Sequence, residues 1–472
     1  MPRPICVAPA RHGLAARRRA PPSRRASRAR FDAPRAPSAP RAGSGAARDA
    51  PDAVPRGASS PTSSSSPSLP RRALLGAGAA SLSLSARVSA PPPARADELF
   101  CGYYTENSSV TPQWAFKTPW AEGVVDVASA TGAPNAKTFL RVLGKRETAE
   151  AAGHLPVLCL HGGPGLGFKY MDACEILASS SREVASYDQI GCARSKLDAP
   201  ALSSDSTFRF SPATFASELR RVREVAGLDD VHILAHGWGA MLALDHALDP
   251  MASGTVASLV LVSCPPSYAA LCRDRRDALA ALPLDVAERL LEADERRLFA
   301  DPRALRAPDS PYADAWSAWV ETRESRRAAG GCYAGLSLGG AGDGAGASRD
   351  RGASDAALAS AARVALDMTG GRFFTPDGAL AGWEADEGGR LGELSAKVGG
   401  VRFARGTEDA LSLRAAREVY DAVARAEMAP EAAGVGFESV EGAGSCVHLD
   451  ASAAFLESVD QFLAAHDRGP KA

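Results

Sequence analysis

From Val231 the chain runs through an apolar, β-prone stretch into Ala235-His236-Gly237-Trp238-Gly239-Ala240, and then into the helix-forming Met241-Leu242-Ala243-Leu244. A sharp strand-to-helix turn flanked by small residues holds its central side chain up at the top of a sheet. The chemistry it suits is nucleophilic attack by an exposed oxygen or sulfur. Here the centre of the turn is Gly237, which has no side chain. Two further landmarks accompany it: a glycine-rich loop, His161-Gly162-Gly163-Pro164-Gly165, after an apolar run, and a late Gly406-Thr407-Glu408-Asp409.

The elements that must position these residues alternate between strand and helix. Val124–Val127 and Phe139–Leu143 read as paired strands around the polar turn at Gly132–Asn135. Pro156–Leu160 is a continuous apolar run, as expected of a strand buried on both faces, and Glu183–Asp188 follows as the next strand. Ser211 to Gly227 has helical spacing, with Phe215, Leu219, Val222 and Val225 on one face and Gly227 as the stop. Val256–Val262 is another buried strand, and strand-like patterning returns at Val401–Ala404. Such alternation implies a mostly parallel sheet flanked by helices. After Pro265-Pro266 the pattern turns helical, at Val286–Leu291 and Ala315–Val320, and Gly330 to Gly352 reads as a Gly/Ala-rich insertion.

Composition divides the 472 residues unevenly. Residues 1–96 carry 17 Arg, three Asp, no Lys and no Glu among dense Ser, Pro and Ala. That segment is expected to be disordered, and its composition is that of an organelle transit peptide. Arg71-Arg72, the short apolar run Ala73–Ala80 and Ala94-Arg95-Ala96 are similar to a Tat-type export signal. The order of the two resembles the bipartite presequence of a thylakoid-lumen protein, which implies delivery to the chloroplast lumen. The apolar run is too short to span a membrane. With a whole-chain charge of −1, the remainder stands near −15, which argues against nucleic acid as a partner. Eight of the nine cysteines fall in this remainder without a C-x-x-C pair, so zinc and dithiol redox chemistry find no support. The even number would allow disulfides, although Cys159 reads as a buried apolar residue. No cofactor or metal is expected.

From about Glu122 to Leu463 the chain resembles the prolyl aminopeptidases (proline iminopeptidases) of the α/β-hydrolase superfamily. The resemblance rests on His161–Gly165, on Asp188-Gln189-Ile190-Gly191-Cys192-Ala193-Arg194-Ser195, on Trp238–Leu244 after the turn, and on Met368-Thr369-Gly370 through Trp383. It implies an α/β-hydrolase core at 97–264 and 397–472, with a helical cap at 265–396. It also implies an oxyanion hole made by the backbone N–H groups of Gly163 and Trp238, and a triad acid at Asp409. For the triad histidine two registers remain open. Counting back from Phe455 places Ser445 at that position, whereas a Cys-x-His-Leu match keeps His448. His236 is expected to point elsewhere.

The departures from the family are as informative as the matches. Gly237 stands at the nucleophile position. The family holds its substrate's free amine with acidic residues, and the matching positions here are Phe373 and Ala410. The sequence therefore implies a hydrolase-like protein that has lost Ser-type hydrolysis and keeps a pocket for a small molecule or peptide. The alternative is an active hydrolase or aminopeptidase with an unusual nucleophile or a non-covalent mechanism.

Overall fold

A computed structural model describes residues 120–197, 202, 206–252, 254–301, 304–305, 309–326, 355–425 and 434–469. The expected presequence (1–96) and the Gly/Ala-rich insertion lie outside the described residues.

Eight strands form one sheet in the order β1-β2-β4-β3-β5-β6-β7-β8. They are β1 (Trp120–Asp126), β2 (Lys137–Leu143), β3 (Val157–Leu160), β4 (Val184–Tyr187), β5 (Asp230–His236), β6 (Thr255–Val262), β7 (Val401–Gly406) and β8 (Val435–Val440). β1 pairs with β2, and β2 with β4, in antiparallel fashion, whereas every pairing from β4 through β8 is parallel. β3 and β4 are buried along their whole length, which is why β3 reads as an unbroken apolar run. This is the α/β-hydrolase fold.

The helix α1 (Pro212–Ala226) shows how local sequence sets an element. The Ser211 hydroxyl accepts from the Thr214 N–H at its start, and Gly227 closes it in the left-handed conformation at φ 64°. Phe215, Leu219 and Val222 are buried against the sheet. Val225 is not on that face. It is 49% exposed, and Ala226 packs on the core in its place, because the 100° step per residue returns to the buried face one position later. The helix α2 (Trp238–Leu248) follows β5 directly and is buried for most of its length.

Between β6 and β7 the described residues form helices: α3 (Tyr268–Ala278), α4 (Leu284–Glu295), α5 (Ala313–Trp319) and α6 (Asp355–Thr369). Leu290, Phe299, Trp319 and Phe374 build a separate apolar cluster there. Val364 and Met368 of α6 join the main core instead. After β7 come α7 (Leu413–Ala424), β8 and α8 (Ser452–Ala464). The six described cysteines, Cys159, Cys174, Cys192, Cys264, Cys272 and Cys446, are all buried free thiols. None of these six is in a disulfide in this structure, and they pack as small apolar residues.

One buried carboxyl ties α1 to the sheet. Glu218 accepts hydrogen bonds from the Thr138 hydroxyl of β2 and from the Ile190 N–H at 2.7 Å. Burial raises it from 4.5 to about 8 against the pull of those two bonds. The folded state thus holds a proton that the unfolded chain releases, and stability falls as pH rises from about 4.5 to 8. Glu218→Gln should remove this loss. Urea unfolding at pH 5 and pH 8 should show the variant gaining on the parent at pH 8, by on the order of 3 kcal/mol.

Candidate active site

The turn after β5 is a nucleophile elbow in backbone geometry. Gly237 has φ 55° and ψ −116°, a region that costs a residue with a side chain about 1–3 kcal/mol. Its N–H donates to the Val262 carbonyl at 2.9 Å. Two residues on, a Cβ at Gly239 would stand 2.4 Å from the Leu160 carbonyl oxygen, so only glycine lets α2 lie this close to β3. A Cβ at Gly237 would meet nothing within 4 Å. The elbow keeps both its bend and the space for a side chain.

Facing the elbow, the glycine-rich loop is braced by the Asp188-Gln189 segment. The Gln189 N–H donates to His161 Nε2 (2.9 Å), its side-chain amide donates to the His161 carbonyl (2.8 Å), and its oxygen accepts from Trp238 Nε1 (2.8 Å). These partners place the His161 proton on Nδ1, which reaches the Gly162 carbonyl at 2.7 Å. Asp188 holds the Phe168 N–H and the Arg194 guanidinium, at 2.9 and 2.8 Å. Gly163 and Trp238 both line the cavity above the elbow, and neither spends its N–H on a hydrogen bond to a described residue. Two unspent donors beside an elbow are what an oxyanion site requires.

The remaining positions are occupied differently. Asp409 follows β7 and is buried against the cavity. Its carboxylate accepts from the Ser263 hydroxyl at 2.6 Å and the Leu411 N–H at 2.9 Å. Burial raises it to about 6, with Ser263 and then Arg405 opposing. The Ser263 hydroxyl also lies 3.1 Å from the Ser445 carbonyl, so a hydroxyl fills the side of the acid that a triad gives to imidazole. Ser445 lines the cavity too, and its hydroxyl donates to Glu324 at 2.6 Å. Glu324 also accepts from Trp319 Nε1 at 3.0 Å. The chain of Arg323 and Glu324 is bonded to Ser445 and Cys446 through their N–H groups, at 2.9 and 2.8 Å, which seats this end of the cap on the core.

His448 is fully buried and does not line the cavity. It makes no hydrogen bond to Asp409, and both ring nitrogens are unpartnered; the Tyr170 backbone lies beside the ring without completing a bond. Its ring packs 5.4 Å from that of His236 and 5.6 Å from that of Tyr170. His236 does not point away from the site as the turn geometry suggested: it lines the cavity. Tyr170 explains this. Its hydroxyl accepts the Gly162 N–H at 2.5 Å and meets His236 Nδ1 at 2.8 Å, pinning the ring against the glycine loop. Burial lowers His236 to about 4, so it is neutral near pH 7.

The roof of the cavity is aromatic. Phe373 stacks on Phe299 at 5.3 Å and meets Trp316 and Trp319 edge-on. Neither Phe373 nor Ala410, both lining residues, offers a charge. The cavity carboxylates are Asp409 and Glu324. Sequence reading missed Ser263, Glu324 and Arg275, although Trp316-Ser317-Ala318-Trp319 pointed to an aromatic helix just before Glu324. The cavity has a volume of about 130 Å³.

The alpha/beta hydrolase fold family matches residues 156–312. The chain has the α/β-hydrolase fold and is similar to the proline iminopeptidases. It is 32% identical over 181 residues to the proline iminopeptidase of Lactobacillus delbrueckii subsp. lactis, an overlap covering 38% of this chain and 58% of that protein. The chain thus spans somewhat more than half the length of the curated relatives it matches. The crystal structure of the Mycobacterium smegmatis proline iminopeptidase superposes at a TM-score of 0.51 with 22% identity, over 74% of this chain and 99% of that one. VinJ superposes at 0.54 with 23% identity, over 73% and 98%. At such identities these two structures establish the fold.

A buried imidazole with both nitrogens unpartnered costs stability. His448 is also held well below the ordinary histidine range by burial and by its neighbour His236. Its neutral form is favoured by folding, so its contribution is intact above pH 6.5 and is lost as the pH falls below that value. His448→Leu should raise stability by on the order of 1 kcal/mol at pH 7 and by more at pH 5, read as a urea midpoint. A lower midpoint at both pH values would show a bonded, structurally required imidazole.

Proposed function

We propose that this is a prolyl-aminopeptidase-like protein of the chloroplast, delivered to the thylakoid lumen, that binds a small molecule or peptide and does not hydrolyse by a serine mechanism. The observation that carries this reading is the elbow itself: Gly237 supplies no attacking atom where the backbone is bent to present one. The partners agree with it. Asp409 is engaged by Ser263, and Ser445 by Glu324, so no imidazole bridges the acid to the elbow. A triad acts as a unit, and losing its nucleophile costs on the order of 10⁶ in kcat. The oxyanion donors Gly163 and Trp238, being backbone, outlast such a loss and remain available to polarise or hold a ligand oxygen. Ligand binding does not depend on a nucleophile, and the cavity under the cap serves it.

Mature protein incubated with serine-directed phosphonates and with proline anilides should show neither labelling nor turnover. Gly237→Ser alone should remain inert for want of a base, although the serine fits without a clash. Gly237→Ser/Ser445→His supplies both groups and should become labelled by phosphonate. Stoichiometric labelling of the parent, or turnover of anilides by it at ordinary enzyme rates, would sink the reading.

Localisation has its own test, since the export receptor reads the arginine pair and not bulk charge. In a chloroplast import assay, Arg71→Lys/Arg72→Lys should leave the protein in the stroma, while the parent reaches the lumen and is cleaved after Ala96. Lumenal arrival of the double variant would remove the Tat assignment.

A further inference from the structure

Among the described residues, the cavity contains a cation with no ion-pair partner. Arg275, on α3, lines it. Its guanidinium lies 3.7 Å from the centre of the Phe373 ring and reaches the Phe373 carbonyl at 3.4 Å. Among the described residues no carboxylate pairs with it. The other lining arginine, Arg372, differs: it faces Asp294 at 3.7 Å and Asp377 at 3.4 Å. The cavity's own carboxylates are also supplied, Asp409 by Ser263 and Leu411, Glu324 by Ser445 and Trp319. Those neutral donors orient the two carboxylates, and Arg275 is the lining guanidinium that no ion pair among the described residues holds.

Its placement narrows the ligand. The ring that carries Arg275 is Phe373, the residue standing where the resembled family keeps an acid for its substrate's amine. An ammonium brought there would meet a guanidinium, whereas a carboxylate would find a planar donor fork fixed in orientation by the aromatic face beneath it. Around it, Phe299, Leu305, Trp316 and Leu271 form an apolar wall. A cavity of 130 Å³ has room for on the order of ten waters, and hence for a single ring with a short side arm.

We propose that the cavity binds a small aromatic monocarboxylate, its carboxylate on Arg275 and its ring against Trp316 and Phe299. This rests on the reading of the protein as a binder and reverses the charge preference expected of an aminopeptidase.

Three probes of one shape separate the possibilities: phenylacetate, phenylacetamide and phenethylamine, titrated calorimetrically into the mature protein at low salt. Phenylacetate should bind at least tenfold more tightly than either of the others. Arg275→Gln should abolish that preference while leaving phenylacetamide affinity within about twofold, and Arg275→Lys should retain part of it. Comparison of the three probes on the parent protein stands even if a variant misfolds. Equal or tighter binding of the amine or amide overturns the carboxylate assignment and leaves the binding function intact. Failure of all three to bind overturns this assignment and counts against the binding reading as well. A carboxylate preference that survives Arg275→Gln places the anion elsewhere, on Gly163 and Trp238, and overturns the role of Arg275.

Discussion

The bend at Gly237 is the constraint from which the rest of the site follows. A backbone at φ 55°, ψ −116° is held there by the bond from Gly237 to Val262 on β6 and by the close approach of Gly239 to β3. Neither hold depends on the side chain at 237. In a hydrolase the strain of such a turn is offset by what the raised nucleophile does. Glycine removes most of the strain and leaves the direction of the turn unchanged. α2 therefore starts in the same place, Trp238 still reaches Gln189, and the glycine-rich loop is still braced against the elbow.

The side chains around the bend are mutually consistent. A catalytic imidazole would need the free side of Asp409 and a position above the elbow. Ser263 has the first, and Ser445, turned to Glu324, has the second. Each carboxylate next to the cavity is thereby supplied with a hydroxyl. An isolated buried carboxylate would be costly, and these hydroxyls offset that cost at both acids. His236 completes the wall on the other side, held from behind by Tyr170, whose hydroxyl also accepts the Gly162 N–H.

The fold was legible because its signals are local and repeated. An unbroken apolar run marked β3, and Ser211 and Gly227 bracketed α1, so the order of the elements could be read without a structure. The glycine loop, the elbow and Asp409 were legible for a related reason: backbone geometry demands particular small residues at fixed spacing. The registers of Ser445 and His448 could not be separated in sequence. They lie three residues apart beside a short helix, and only the bonds to Arg323 and Glu324 settle which one faces the cavity. Glu324 and Ser263 were missed because each acts through a partner more than a hundred residues away, and no periodicity carries that information.

The same distinction explains why the cap governs what the site can recognise. The core contributes backbone donors and a fixed bend, which are indifferent to the identity of the ligand. Recognition must come from side chains that descend on that floor, and these belong to Arg275, Phe299, Trp316, Glu324 and Phe373. The aromatic residues hold one another, stacked or edge-on, at 5.3–5.6 Å, a geometry that rigid rings maintain without hydrogen bonds. Arg275 is half-buried on this lattice, stacked on Phe373, so its orientation is set before any ligand arrives. Preorganisation of that kind cuts the ordering cost of binding. The groups placed to discriminate between ligands are thus separate from the elbow, so selectivity of the cavity does not depend on a nucleophile at position 237.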